Sequence, residues 1–212
     1  ALAAAILMQR EPDVIIGSFA ADHVITEDDK FQSVVLEAVE VAATGKIVTI
    51  GIEPTEPSVG FGYIKQGEKL GLDNAPHARD VAKFVEKPNI AKARKYVESG
   101  EYLWNAGMFI AQASVLLNEL AKTEPELHAS VMELASVWDT DNRKSAIERI
   151  WPKLKKVAID YSVAEPAAAG RGPGPGPVVG GRRAAGAQHA RGCGLCALAF
   201  AAGAGPAPSR RP

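Results

Sequence analysis

The apolar positions of the first 52 residues alternate between helical and strand-like spacing. Between Thr26 and Thr44, apolar side chains recur three and four positions apart, which predicts a helix with one buried stripe. Residues 14–17 and 47–52 are short apolar runs, typical of buried strands. With another helix predicted over residues 1–10, the order is helix, strand, helix, strand. Strands that are apolar on both faces and alternate with helices predict a parallel sheet covered by helices.

Beyond residue 57 the spacing changes. Residues 61–69 and 81–87 alternate apolar and polar side chains, which predicts strands with one solvent-facing side. Residues 102–111 predict a further strand. Helical spacing is found over residues 90–99, 114–121 and 126–138. The whole pattern therefore predicts an α/β fold with a mixed sheet flanked by helices.

Composition divides the 212 residues into two unlike parts. All 25 acidic residues lie at or before Glu165, so residues 1–166 carry a net charge of −7 and residues 167–212 a net charge of +6. Of the last 46 residues, 36 are Ala, Gly, Pro or Arg, too few apolar side chains to offset chain entropy. We predict a folded domain over residues 1–166 and an unstructured low-complexity tail over residues 167–212.

Two explanations of this tail are open. The codons of its four dominant amino acids begin with two G or C bases, as expected for a GC-rich gene that is read out of frame after about Gly170. A natural Gly/Pro/Ala linker would have a similar composition.

Charge and cysteine content limit the possible partners and compartment. The net charge of −1 supplies no basic field for nucleic acid. Residues 1–166 contain no cysteine, which fits a reducing compartment. The apolar runs at residues 1–8 and 193–202 are too short to span a bilayer, and the first lacks the basic start of a secretory signal. We expect a cytoplasmic protein that binds neither nucleic acid nor a membrane.

Four segments place polar residues and glycines at predicted strand ends, where open α/β sheets bind ligands. They are Phe19-Ala20-Ala21-Asp22-His23, Gly60-Phe61-Gly62-Tyr63-Ile64, Phe84-Val85-Glu86-Lys87-Pro88 and Trp104-Asn105-Ala106-Gly107-Met108-Phe109. Each also has a purely structural interpretation. Asp22 can cap a turn, Glu86 and Lys87 can form a surface ion pair, and residues 105–107 can form a bulge or tight turn.

Together and in this order, the four segments resemble the sugar-1-phosphate nucleotidyltransferases, most closely the bacterial mannose-1-phosphate guanylyltransferases (GDP-mannose pyrophosphorylases). The similarity runs from residue 1 to about residue 165 and includes Ile159-Asp160-Tyr161-Ser162-Val163. Glu-Lys-Pro and Asn-Ala-Gly occur across this superfamily, whereas the Ala-Asp-His, Gly-Phe-Gly-Tyr-Ile and Trp-Asn-Ala-Gly-Met-Phe segments indicate the mannose branch. The resemblance implies a Rossmann-like nucleotide-diphospho-sugar transferase fold.

The resemblance also implies a reaction. An oxygen of mannose 1-phosphate attacks the α-phosphorus of GTP in line, pyrophosphate leaves, and GDP-mannose forms. This chemistry needs neutralised phosphate charge and aligned reactants rather than a protein nucleophile. The implied catalytic residues are Asp22, as a ligand of Mg²⁺, and Lys87, whose ammonium contacts the phosphate of the sugar phosphate.

The same resemblance assigns substrate-binding roles to five further residues. Glu86 and Asn105 would hold sugar hydroxyls, and Gly62 and Gly107 would let the backbone approach the ligand. Tyr63 would line the same cavity. His23 is open between a site role and a structural one.

Two parts of the family pattern are missing. A glycine-rich, arginine-containing loop that wraps the nucleotide triphosphate is expected before residue 1, and a second metal-binding Asp is expected shortly after Glu165. We therefore expect an incomplete chain that is inactive alone and at most binds sugar phosphate. No residue of this chain is assigned to recognition of the guanine base, so a thymidylyl- or adenylyltransferase is the alternative activity. The sequence leaves the oligomeric state open.

Overall fold

A computed structural model describes residues 1–169, 178–179 and 195–201 of the chain. In chain order its helices and strands are α1 (Leu2–Arg10), β1 (Ile15–Ser18), α2 (Asp28–Ala43), β2 (Lys46–Ile52), β3 (Tyr63–Lys69), β4 (Ala78–Val85), α3 (Ile90–Ser99), β5 (Tyr102–Gln112), α4 (Ala113–Thr123), α5 (Pro125–Ser136), α6 (Arg143–Ile150), a π-helical turn (Asp160–Ala164), α7 (Glu165–Ala169), β6 (Val178–Val179) and β7 (Leu195–Ala201). None of the described helices is both long enough and apolar enough to cross a membrane.

The long strand β5 organises the sheet. β2 runs antiparallel along one edge of β5, from Val48 opposite Ile110 to Ile52 opposite Trp104. The other edge is shared by β1, which pairs with the second half of β5, and by β3, which pairs with its first three residues. β4 then pairs antiparallel with β3. The predicted mixed α/β sheet flanked by helices is confirmed.

The prediction of a parallel sheet from the first 52 residues is wrong in one respect. β1 and β2 run in the same direction, but β5 lies between them and is antiparallel to both. The apolar pattern of a strand reports burial on its two faces and carries no information about the direction of its neighbours. The neighbour comes from more than 50 residues further along the chain, so local spacing could not reveal it.

Helices cover both faces of the sheet. On one face, α1, α4 and α5 bury the apolar side chains of Ile47 and Phe109. On the other face, α2 packs against Val48 and Met108. Successive residues of a strand point to opposite faces, so β2 and β5 contribute to both cores. This two-sided burial explains why both strands are apolar almost throughout.

Two segments of the tail are described as strands. β7 pairs antiparallel with β2 over seven residues, and β6 forms short bridges to β3, β4 and β7. β7 falls in the apolar run of the tail, and the open edge of β2 offers it unpaired backbone groups. The rest of residues 170–212, including the proposed frame change at Gly170, lies outside the described residues. The division at residue 166 stays a prediction.

Candidate functional site

A gap in the strand pairing of β5 marks the candidate site. β1 ends opposite Phe109 and β3 begins opposite Trp104, so residues 105–108 face no described strand on that edge. On the other edge, β5 has two more residues than β2 between consecutive pairs, which makes a bulge there. Residues 19–27 leave β1 beside the gap, and residues 60–62 enter β3 beside it.

Glu86, Gly62 and Asn105 lie side by side at this gap. The backbone N–H of Asn105 donates to the carbonyl of Gly62 at 2.8 Å, and Glu86 follows the last residue of β4, Val85, which pairs with Tyr63. A Cβ at Gly62 would lie 2.4 Å from Glu86 Oε2 and 3.3 Å from Asn105 Cβ. The missing side chain at position 62 therefore lets the carboxyl and amide groups approach each other.

The buried side chain of Asn105 is held by three hydrogen bonds. Its Oδ1 accepts from Thr49 Oγ1 at 3.0 Å and from the Gly107 backbone N–H at 3.1 Å, and its Nδ2 donates to Asp160 Oδ1 at 2.7 Å. A primary amide has two acceptor positions and two N–H groups. The oxygen is therefore fully used, and a single N–H is left for a ligand.

Glu86 carries an unsatisfied acceptor. Its side chain is 10% exposed, Oε1 lies 3.6 Å from Lys87 Nζ, and Oε2 is buried with no hydrogen-bond partner in the described part of the chain. Burial and the nearby charge of Asp160 raise the pKa of Glu86, with a smaller contribution from Glu165, while Lys87 opposes the shift. A buried oxygen without a hydrogen-bond donor destabilises the fold.

We expect Glu86→Gln to raise Tm by a few degrees at pH 7. The raised pKa means that the folded state binds the Glu86 proton more tightly than the unfolded chain does. Ionised Glu86 therefore destabilises the fold above its raised pKa, and this cost vanishes as the pH falls below the ordinary Glu value of about 4.3. Thermal melts of both proteins from pH 7 to pH 4 should show the difference in Tm shrinking.

Glu56→Gln is the matched control, because Glu56 is exposed and its side chain forms no hydrogen bond or ion pair with the described residues. A Tm for Glu86→Gln below that of the unsubstituted chain at pH 7 would contradict the expected sign.

Lys87 projects from a constrained connection between β4 and α3. Its φ is 41°, the one positive φ of a non-glycine residue in the described chain. The next residue is Pro88, which disfavours the right-handed helical region for the residue before it. Asn89 then caps α3 by accepting from the Lys92 backbone N–H at 3.0 Å. Lys87 thus lies beside Glu86, and its side chain is 60% exposed.

Gly107 and Tyr63 differ in their surroundings. Gly107 has φ 66°, a backbone conformation that favours glycine, and a Cβ there would meet no described atom within 4 Å, so its role toward a ligand stays a prediction. Tyr63 is fully buried, its ring lies 5.4 Å from that of Tyr96, and its hydroxyl donates to the Ser58 carbonyl at 2.9 Å. Neither of these two contacts of Tyr63 involves the polar group around Glu86.

Three residues at the gap were given no site role in the sequence analysis. Thr49 and Asp160 hold the Asn105 amide, as described above. Trp104 has a buried indole N–H without a partner among the described residues, and its ring lies 4.9 Å from that of the half-exposed Phe61. A buried Thr on an apolar strand is the local signal that could have been used for the first of them. Asp160 lies in the segment of residues 159–163 that takes part in the resemblance, but only the fold brings it to Asn105.

Asp22 and His23 lie in the segment that follows β1, beside the gap in the strand pairing of β5. Both are exposed, and neither side chain forms a hydrogen bond or ion pair with another described residue. The described residues contain no cluster of three or more His, Cys, Asp or Glu side chains that could hold a metal ion. Asp22 therefore offers one carboxylate, and substrate phosphates and water would have to complete the coordination of Mg²⁺.

A surface depression of about 590 Å³ lies on the outer side of α2, away from the gap in β5. Its lining includes the carboxylates of Asp29, Glu37 and Glu40. Such a surface repels phosphate, so it does not compete with the gap in β5 as a site for a phosphorylated ligand.

Comparison with known proteins identifies the family of the chain. The nucleotidyl transferase family model matches residues 1–151. This match covers well over half of the chain, and the chain therefore belongs to the nucleotidyl transferase family.

Among curated relatives, the chain is 40% identical over 156 residues to the mannose-1-phosphate guanylyltransferase of Escherichia coli K12, covering 73% of this chain and 33% of the relative. It is 47% identical over 148 residues to the mannose-1-phosphate guanylyltransferase RfbM of Salmonella typhimurium, covering 70% and 28%. The chain thus spans about a third of the length of these relatives.

Two solved structures share the fold. One is described as a mannose-1-phosphate geranyltransferase from Thermus thermophilus, with a TM-score of 0.63 and 26% identity, covering 77% of this chain and 45% of that one. The other is described as a mannose-6-phosphate isomerase from Helicobacter pylori, with a TM-score of 0.59 and 24% identity, covering 77% and 63%. The second likeness concerns the fold alone.

Proposed function

We propose that the protein represented by this chain transfers a guanylyl group from GTP to mannose 1-phosphate, and that the gap in β5 binds the sugar phosphate. The observation that carries the proposal is that the carboxyl group of Glu86, the amide of Asn105 and the exposed side chain of Lys87 lie together at this gap. Such a site suits a ligand with both hydroxyl and phosphate groups. The names of the curated relatives support the choice of mannose 1-phosphate and GTP.

Each residue of the gap has one task in this proposal. Lys87 binds the sugar-linked phosphate as a point charge, which lowers the repulsion between the two phosphorylated substrates. Glu86 accepts a hydrogen bond from a sugar hydroxyl, and Asn105 donates its spare N–H to a hydroxyl oxygen. Asp22 would hold Mg²⁺, which supplies charge neutralisation at the reacting phosphates when bound.

The absence of cysteine from residues 1–166 supports a cytoplasmic location.

Ligand binding to the 212-residue chain tests the proposed site. We expect saturation-transfer NMR or calorimetry to rank mannose 1-phosphate and glucose 1-phosphate above mannose and inorganic phosphate. The reason is that only a sugar phosphate engages Lys87 and the Glu86–Asn105 pair at once. Equal affinity for inorganic phosphate and mannose 1-phosphate would overturn the sugar site.

Guanylyl transfer is tested in a whole enzyme. The stretch of the Escherichia coli relative that matches this chain would be replaced by the corresponding residues of this chain. We expect the chimera to form GDP-mannose and pyrophosphate from GTP and mannose 1-phosphate. A folded chimera that forms no GDP-mannose would contradict the proposal.

We expect Lys87→Met to weaken mannose 1-phosphate binding about tenfold or more, because a hydrogen bond to a charged group contributes about 1.5–3 kcal/mol. Lys83→Met is the control, since Lys83 is exposed on β4 and precedes the site. Titrations at several salt concentrations should show a steeper salt dependence for the unsubstituted chain than for Lys87→Met. The same loss of affinity in both variants would show that Lys87 contributes only to the general surface charge.

A further inference from the structure

The amide of Asn105 has a defined orientation in this structure. The Gly107 backbone N–H can only donate, so it selects the amide oxygen. The Asp160 carboxylate accepts on the other side, so it selects the nitrogen. The Thr49 hydroxyl can both donate and accept, and it therefore does not choose between the two orientations by itself. Asp160 and Gly107 together decide which end of the amide is left to a ligand.

Asp160 reaches the site from outside the sheet. It is the first residue of the π-helical turn, 55 residues after Asn105. The turn is anchored to α4, since Thr123 Oγ1 donates to the Ser162 carbonyl, and Ser162 is itself buried. A fixed turn therefore delivers a carboxylate to a fixed amide.

Asp160 also affects Glu86 electrostatically. The charged groups that face Glu86 are Asp160 on the π-helical turn, Glu165 on α7 and Lys87 beside it. The two acidic groups favour the protonated form of Glu86, while Lys87 favours the ionised form. The Asp160 charge is the larger of the two acidic influences.

We propose that Asp160 is a positioning residue of the sugar-phosphate site: its carboxylate fixes the Asn105 amide so that one N–H remains for a ligand hydroxyl oxygen, beside the Glu86 carboxyl group that accepts a hydrogen bond from a ligand hydroxyl. The inference rests on the proposed function, because it takes the ligand to be mannose 1-phosphate. It adds that the site recognises a hydroxyl group as donor and acceptor at once. An ether or a deoxy position would lose one or both of these interactions.

Two substitutions separate the two effects of Asp160. In Asp160→Asn the new amide oxygen can still accept from Asn105 Nδ2, so the geometry is retained while the charge is removed. In Asp160→Ala both are lost. Asp141→Asn is the matched control, because Asp141 is exposed and without side-chain contacts to described residues. All proteins are the full 212-residue chain, and mannose 1-phosphate is the probe.

We expect Asp160→Ala to bind mannose 1-phosphate at least tenfold more weakly at pH 8, whereas Asp160→Asn and Asp141→Asn stay within threefold of the unsubstituted chain. In Asp160→Asn the acidic limb of the binding profile should move to lower pH, because Glu86 then stays ionised to lower pH. The titration of the ligand phosphate is common to all variants and does not contribute to this difference. The side-chain NH₂ signals of Asn105 should exchange faster with water in Asp160→Ala.

The outcomes are distinguishable. If the unsubstituted chain binds no mannose 1-phosphate, the proposed function fails and the ligand part of this inference fails with it. If the unsubstituted chain binds, but the affinity of Asp160→Ala and the pH profile of Asp160→Asn are unchanged, the role of Asp160 fails alone. If Asp160→Ala does not fold, the pH profile of Asp160→Asn decides.

Discussion

Gly62→Ala is expected to weaken mannose 1-phosphate binding about tenfold or more. A Cβ at this position would lie 2.4 Å from Glu86 Oε2, whereas ordinary contacts begin at 3.4 Å. The carboxyl group must therefore move by about 1 Å, which displaces the group that would accept a hydrogen bond from the ligand. Such a hydrogen bond to a charged group contributes about 1.5–3 kcal/mol. Asn105 Cβ, at 3.3 Å, blocks part of the space into which the alanine methyl could shift. Calorimetric titration of the 212-residue chain measures the effect.

Gly60→Ala is a control within the same loop. A Cβ on Gly60 would meet only Ser58 Oγ, at 3.5 Å, and Gly60 does not have a positive φ. We expect this variant to bind normally. Thermal melts of both variants show whether the fold is intact. Normal binding by a folded Gly62→Ala protein would mean that the position of the Glu86 carboxyl group does not matter for the ligand.

Asp22→Asn should lower the rate of GDP-mannose formation by the chimeric enzyme about a hundredfold or more. The proposal makes Asp22 a ligand of the metal ion that neutralises the reacting phosphates, and Mg²⁺ binds a neutral amide oxygen less well than a carboxylate. Charge stabilisation in a transition state of this kind is worth several kcal/mol. Initial rates of pyrophosphate release at several Mg²⁺ concentrations provide the measurement, and the variant should need more metal for half-maximal rate.

Asp13→Asn controls for a general change of charge, because Asp13 is also exposed and precedes β1. Its rate should match that of the unsubstituted chimera. The binding of mannose 1-phosphate without metal should be the same in Asp22→Asn and in the unsubstituted protein. An unchanged rate in Asp22→Asn would remove Asp22 from the metal site and leave the sugar-phosphate site untouched.

The pattern of apolar residues predicted most elements close to their observed positions. The helix expected over residues 90–99 is α3, Ile90–Ser99, because Asn89 caps its start and Gly100 follows with φ 65°. The helix expected from Thr26 begins only at Asp28, and Glu27 precedes it without a capping side chain. Helix α6 was missed, because only Ala146 and Ile150 of its eight residues are buried.

The candidate site was predictable in its residue types and less so in its geometry. Polar residues at the ends of apolar strands directed attention to Glu86, Lys87 and Asn105, and the fold brings Glu86 and Asn105 together at Gly62. The roles of single atoms were not accessible. That Asn105 has one free N–H follows from hydrogen bonds with Thr49 and Asp160, which lie 56 and 55 residues away.

The sequence by itself determined most of the elements, the two-sided burial of β2, and the family, because these depend on local spacing and on short segments read in order. The tertiary structure decided the direction of β5 between β1 and β2, the gap at residues 105–108 and the arrival of Asp160 at Asn105. Strand pairing and side-chain hydrogen bonds join residues far apart in the chain. Their geometry depends on how the packed elements meet, and no local pattern records it.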